Sequence, residues 1–74
     1  MNIACIPAYN EELKIKDVVK RALPYVDKVI VCDDGSTDNT KTVAKKAGAI
    51  VISHEKNLGY GAAISTLFDY CRKN

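Results

Sequence analysis

Two carboxylates stand side by side where an apolar run stops: Val29-Ile30-Val31-Cys32 passes directly into Asp33-Asp34-Gly35-Ser36-Thr37-Asp38-Asn39-Thr40. Adjacent like charges repel, so the pair needs either a solvated turn or a ligand that wants acceptors. Extended backbone sends successive side chains to opposite faces, so one of the two can face a crevice while the other turns toward a neighbouring loop or helix end. They need not form a dyad. An EF-hand calcium loop is excluded: its glycine stands sixth after acidic residues at one, three and five, and Ile30 falls where the first ligand should be. A carboxylate facing a diphosphate would be repelled without a cation between them. It suits a nucleobase or a ribose, whose N–H and O–H groups donate.

Other polar clusters follow the other apolar runs. Pro7-Ala8-Tyr9-Asn10-Glu11 comes after Ile3 to Ile6; a rigid proline followed by an aromatic can present a stacking surface, with Glu11 as an acceptor beside it. His54 to Gly61 comes after Ile50 to Ile52. Its Gly59-Tyr60-Gly61 opens like a dinucleotide fingerprint, but the third glycine would have to be residue 64, which is Ile, so the nicotinamide reading fails. The two glycines can let backbone N–H groups approach a ligand, or let helix and strand pack closely. His54 is the sole histidine, has no second ligand at metal spacing, and reads as a structural or exposed loop residue. Ser36 and Ser65 lack a nucleophile-elbow context. Taken singly, each loop is an ordinary turn.

The apolar runs Ile3-Ala4-Cys5-Ile6, Val29 to Cys32 and Ala49-Ile50-Val51-Ile52 are continuous rather than alternating, as strands of a parallel sheet covered on both faces are. Between and after them lie helical spacings: Ile15, Val18, Val19 and Ala22, then Ile64, Leu67, Phe68 and Cys71. Asn10 can cap the first helix, with Glu11 and Glu12 in its first turn and Pro24 as its stop. Ser36, Thr37 or Asp38 can cap a shorter second helix that buries Val43, Ala44 and Ala47 and ends at Gly48 in the left-handed conformation. Three strand-helix units with right-handed crossovers predict a parallel α/β sheet of order 3-2-1. Such sheets bind ligands beyond the carboxyl ends of their strands where the order reverses, here beside the first strand. All three polar clusters fall on that rim. The strand that would form the crevice's other wall is missing, so residues 1–74 read as a single partial domain.

Bulk properties narrow the function further. A chain of 74 residues with 47% hydrophobic and 27% charged residues is an ordinary small globular protein, not a disordered one. Eleven Lys and Arg against nine Asp and Glu, dispersed along the chain, give +2 and no nucleic-acid footprint. Three cysteines are an odd number without metal spacing, which points to a reducing, cytoplasmic setting. No apolar run approaches the roughly 20 residues of a membrane span, and the N-terminus lacks the plan of a signal peptide.

Taken together, Ile6-Pro7-Ala8-Tyr9-Asn10-Glu11-Glu12, Val31 to Thr40, Gly48-Ala49 and Asn57-Leu58-Gly59-Tyr60-Gly61-Ala62-Ala63-Ile64 resemble the family 2 glycosyltransferases, in order and over essentially the whole chain. The last motif looks most like the branch holding dolichyl-phosphate mannose synthases and polyprenyl-phosphate sugar transferases. The resemblance implies the first half of a Rossmann-like nucleotide-diphospho-sugar transferase fold, and a UDP- or GDP-linked donor such as UDP-glucose or GDP-mannose. It also implies Mg2+ or Mn2+ in the full-length parent. It implies base and ribose contacts from Pro7, Tyr9 and Glu11, with Cys32 and Asp34 lining the same pocket. The family's Asp-x-Asp metal motif, its acceptor site and its general base belong to later sequence, and nothing after Ala62 supplies them. Neither a catalytic residue nor a metal ligand is therefore assigned, and the isolated chain is expected to be inactive. The alternative is a non-catalytic interaction domain that forms a homodimer through the exposed edge of its first strand. A phosphoacceptor domain would need its acidic pair after the first strand, where Ile6-Pro7 stands instead.

Overall fold

A computed structural model describes residues 1–73. Strands β1 (Ile3–Ala8), β2 (Lys28–Asp34) and β3 (Ile50–His54) alternate with helices α1 (Ile15–Ala22), α2 (Thr40–Ala47) and α3 (Tyr60–Lys73). The sheet is parallel and ordered β1-β2-β3, the 3-2-1 arrangement expected from the crossovers. The central strand β2 is buried from Val29 to Asp34, which explains its unbroken apolar run. Pro7 is tolerated because β1 is an edge strand, where a missing N–H need not cost a ladder bond.

Alternation along β2 divides the core. Val29 and Val31 face one way, where α1 and α2 cover them with Ile15, Val19, Ala44 and Ala47. Ile30 and Cys32 face the other, under Ala63 and Leu67 of α3. Continuing the same alternation puts Asp33 on the α1/α2 side and Asp34 on the α3 side.

Local signals were met unevenly. Gly48 ends α2 with φ of 112°, its N–H bonded to the Lys45 carbonyl and that of Ala49 to Ala44, the paired bonds of a Schellman end. Asp38, one of the three candidate caps, accepts the Thr40 amide at 2.9 Å. Asn10 does not cap α1, which begins later, at Ile15. It sits at φ 51° and turns its side chain across to Thr37 instead. The helix still ends where Pro24 dictates, in the 3-10 turn Leu23–Tyr25.

The apolar spacing in α3 overstates its buried face. Leu67 is 2% exposed, but Ile64 and Phe68 are 40% and 67% exposed. These two, with Cys5, Leu67 and Cys71, line an apolar groove beside β1, which pairs with no further strand among the described residues. Val18 is likewise exposed on α1, because α2 covers only the Ile15 and Val19 side.

Candidate functional site

The carboxyl ends of all three strands meet at one edge and leave a cleft of about 540 Å³. The end of β1 and its loop contribute Pro7, Ala8, Tyr9 and Glu11; β2 contributes Asp34; the loop after β3 and the first turn of α3 contribute Asn57, Gly59, Tyr60 and Ala63. Four of the five residues singled out in the sequence, Pro7, Tyr9, Glu11 and Asp34, therefore share one lining. Cys32 is not among them. It is 0% exposed, one layer beneath Asp34, so any influence on a ligand must pass through its neighbours.

Side-chain bonds between loops hold this rim together. The Asn10 amide donates to Ser36 Oγ at 2.9 Å and Asn10 Oδ1 accepts the Thr37 amide at 2.9 Å. The Glu11 amide donates to Oγ1 of the fully buried Thr40 at 2.8 Å. The first loop is thus stitched to the second by bonds that leave the Tyr9 ring and the Glu11 carboxylate uncommitted by any of them. Gly35 packs directly under the backbone of Lys56 and Asn57, bringing the third loop against the second.

Asp34 is the knot between β2 and the third loop. Its Oδ1 accepts His54 Nδ1 at 2.7 Å and the Leu58 amide at 2.9 Å, while Oδ2 accepts the Gly59 amide at 2.9 Å. The Asp33 side chain, on the opposite face, accepts the Ser36 amide at the longer distance of 3.4 Å. The hydrogen bond from His54 and then that from Leu58 hold the Asp34 carboxyl below its ordinary value, against the opposing effect of burial. The Cys32 thiol moves the other way, pushed up to about 11 by burial and by the charges of Asp34 and Asp33. It stays protonated at neutral pH and is no thiolate nucleophile.

A depressed folded-state value means that Asp34 binds its proton more readily in the unfolded chain. Its contribution is complete above the unfolded carboxylate value, about 3.9, and disappears as pH falls through the lower folded value. Thermal melts from pH 6 to pH 2 should show wild-type stability falling below about pH 4. Asp34→Asn should start less stable and lose less over the same window. Parallel curves for the two proteins would remove Asp34 from the acid transition.

Gly59 and Gly61 are not explained by close packing, because a Cβ on either meets nothing within 4 Å. Instead the Gly59 N–H is spent on Asp34. Sequence reasoning placed the third loop on the rim but gave no role to the Tyr60 ring or to Asn57. Tyr60, 73% exposed, adds a second aromatic to the lining that Tyr9 shares, and only its position at the start of α3 hinted at this.

Residues 3–74 match the family model described as Glycosyl transferase family 2. The chain belongs to that family. Among its relatives, the UDP-N-acetylglucosamine–dolichyl-phosphate N-acetylglucosaminyltransferase of Methanococcus voltae is 38% identical, over 82% of this chain and 32% of its own. The undecaprenyl-phosphate 4-deoxy-4-formamido-L-arabinose transferase of Pseudomonas fluorescens is 32% identical over 90% of this chain and 23% of its own. Among solved structures, glucosyl-3-phosphoglycerate synthase from Mycobacterium tuberculosis, in complex with Mn2+, UDP and glucosyl-3-phosphoglycerate, superposes with a TM-score of 0.75 at 37% identity. It is covered over 26% of its length by 84% of this chain. The chain thus spans no more than about a third of these proteins.

Among the described residues no group of three His, Cys, Asp or Glu side chains converges that could hold a metal ion. No helix among the described residues is long and apolar enough to cross a membrane.

Proposed function

We propose that this chain is the nucleoside-recognition part of a glycosyltransferase that uses a UDP- or GDP-sugar donor, with a polyprenyl or dolichyl phosphate as acceptor. One observation carries the donor side: Tyr9, Glu11 and Asp34, from two different strand ends, line a single cleft at the carboxyl edge of a parallel sheet. The half-exposed Tyr9 ring supplies a stacking face for the base, and Glu11 an acceptor for ribose hydroxyls. Asp34 adds a second acceptor on the α3 side. The lining holds carboxylates and no Lys or Arg, which suits a nucleoside and not its phosphates. The acceptor reading is supported by the names of the M. voltae and P. fluorescens relatives, a dolichyl-phosphate and an undecaprenyl-phosphate transferase.

Titration of isotope-labelled protein with UDP, GDP and their sugars should move the amide resonances of Tyr9, Glu11 and Asp34 together. Base stacking on an aromatic contributes about 1–3 kcal/mol, so Tyr9→Ala should weaken binding by roughly 5- to 150-fold. Resonances that stay fixed at millimolar nucleotide would end the proposal.

A further inference from the structure

His54 closes β3 directly beside Asp34 in the parallel register. It does not line the cleft, and its side chain is only 11% exposed. Both ring nitrogens are nevertheless engaged: Nδ1 meets Asp34 Oδ1 at 2.7 Å and Nε2 meets Thr66 Oγ1 of α3 at 2.8 Å. An ionised carboxylate can only accept, so Nδ1 carries the proton. Nε2 of the neutral ring then accepts from the Thr66 hydroxyl, and the protonated Cys32 thiol, 3.8 Å from the same nitrogen, is a second weak donor facing it. Both neighbours of Nε2 thus favour the Nδ1–H tautomer.

The consequence lies in what remains of Asp34. His54 and the Leu58 amide occupy the two lone pairs of Oδ1, whereas Oδ2 accepts only the Gly59 amide. One acceptor position is left on a carboxylate that lines the cleft. Without His54, the carboxylate would have a looser choice of rotamer, and the Leu58–Gly59 backbone that it holds would lose a fixed anchor. Through Thr66 the same ring also ties the end of β2 to α3, whose first residue is Tyr60.

The geometry points to His54 as a positioning residue of the nucleoside site: held between Asp34 and Thr66, it sets the one open acceptor of Asp34 and the cleft wall around Leu58 and Gly59. This rests on the nucleoside reading above. The ligand group it serves is a single N–H or O–H donor, because only one lone pair is open.

The test uses UDP and GDP as probes, on variants shown by circular dichroism to be folded at the working temperature. His54→Ala removes both bonds. His54→Asn keeps an N–H donor near the Nδ1 position but cannot reach Thr66. A hydrogen bond to a charged group supports a loss of about tenfold or more in affinity for His54→Ala. His54→Asn should recover most of it, with the Leu58 and Gly59 amide resonances returning toward their wild-type positions. Imidazole 15N shifts should report the Nδ1–H tautomer in the wild type. Should His54→Ala not fold, His54→Gln, which reaches toward Thr66 without a donor beside Asp34, takes its place and should bind as weakly. If wild-type protein binds no nucleotide, the proposed function falls and this inference with it. If the wild type binds and His54→Ala matches it, or Asn rescues no better than Ala or Gln, the positioning role alone is overturned.

Discussion

Replacing Gly35 by alanine is expected to be among the most damaging changes possible in this chain. Gly35 has φ of 72°, a left-handed conformation that costs a residue with a Cβ about 1–2 kcal/mol. The added methyl would also lie within 3.0 Å of the carbonyl group of Lys56 and the amide nitrogen of Asn57. These are backbone atoms, which cannot rotate away as a side chain can, and overpacking of this kind costs about another 1–3 kcal/mol. At roughly 0.05–0.15 kcal/mol per residue, a chain of this length holds only about 4–11 kcal/mol in total. One degree of freedom remains: the third loop can lift off the second, which separates Asn57 and Gly59 from the rest of the cleft lining. A fall in Tm of more than about 10 °C is expected, given 4–8 °C per kcal/mol for a domain of this size. Gly61→Ala is the control. A Cβ there meets open space within a helix, so the same substitution should be neutral or slightly stabilising. Equal melts for the two variants would show that the contact between the loops is not a packed one.

The split between Asp33 and Asp34 was legible because it depends only on strand alternation, which is local and strict. Strand order was legible for a similar reason: short crossovers leave few ways to arrange three parallel strands. Asn10 shows where such reasoning stops. An acceptor side chain at that position can serve its own helix or another loop with the same chemistry, and its positive φ is a property of tertiary contacts with Ser36 and Thr37. His54 reads in sequence as a structural or exposed loop residue; it is the last residue of β3 with its side chain 11% exposed, and its partners could not be named from sequence. Asp34 and Thr66 reach it only because the β2–β3 register and the placement of α3 bring them there. The spacing of Ile64 and Phe68 records a face suited to burial but not whether the chain itself covers it. In this structure they flank the open edge of β1. The acceptor is illegible for a different reason: none of the residues lining the cleft needs to touch it.

Leu67→Ala carries the second large expected effect, and it separates folding from recognition. Leu67 is 2% exposed and is the larger of the two buried α3 side chains, Ala63 and Leu67, in the cluster that joins α3 to Ile30 and Cys32 of β2. Truncating a buried leucine costs about 2–5 kcal/mol, more where the surroundings cannot close the hole. Here the floor of the hole is the central strand, held on both sides by its neighbours, so collapse must come from α3 moving inward. The urea midpoint should fall by a corresponding amount with an unchanged slope. Leu67 does not line the cleft, so the folded variant should still bind nucleotide. A ligand bound only by the folded state adds about 2.7 kcal/mol at a hundredfold excess over its Kd, and UDP at that excess should therefore return a large share of the lost stability. Equal ligand-induced stabilisation in variant and wild type would place Leu67 in the scaffold alone. A folded variant that gains nothing from UDP would mean that the seat of α3 on the sheet shapes the cleft, and that recognition cannot be assigned to the strand-end loops alone.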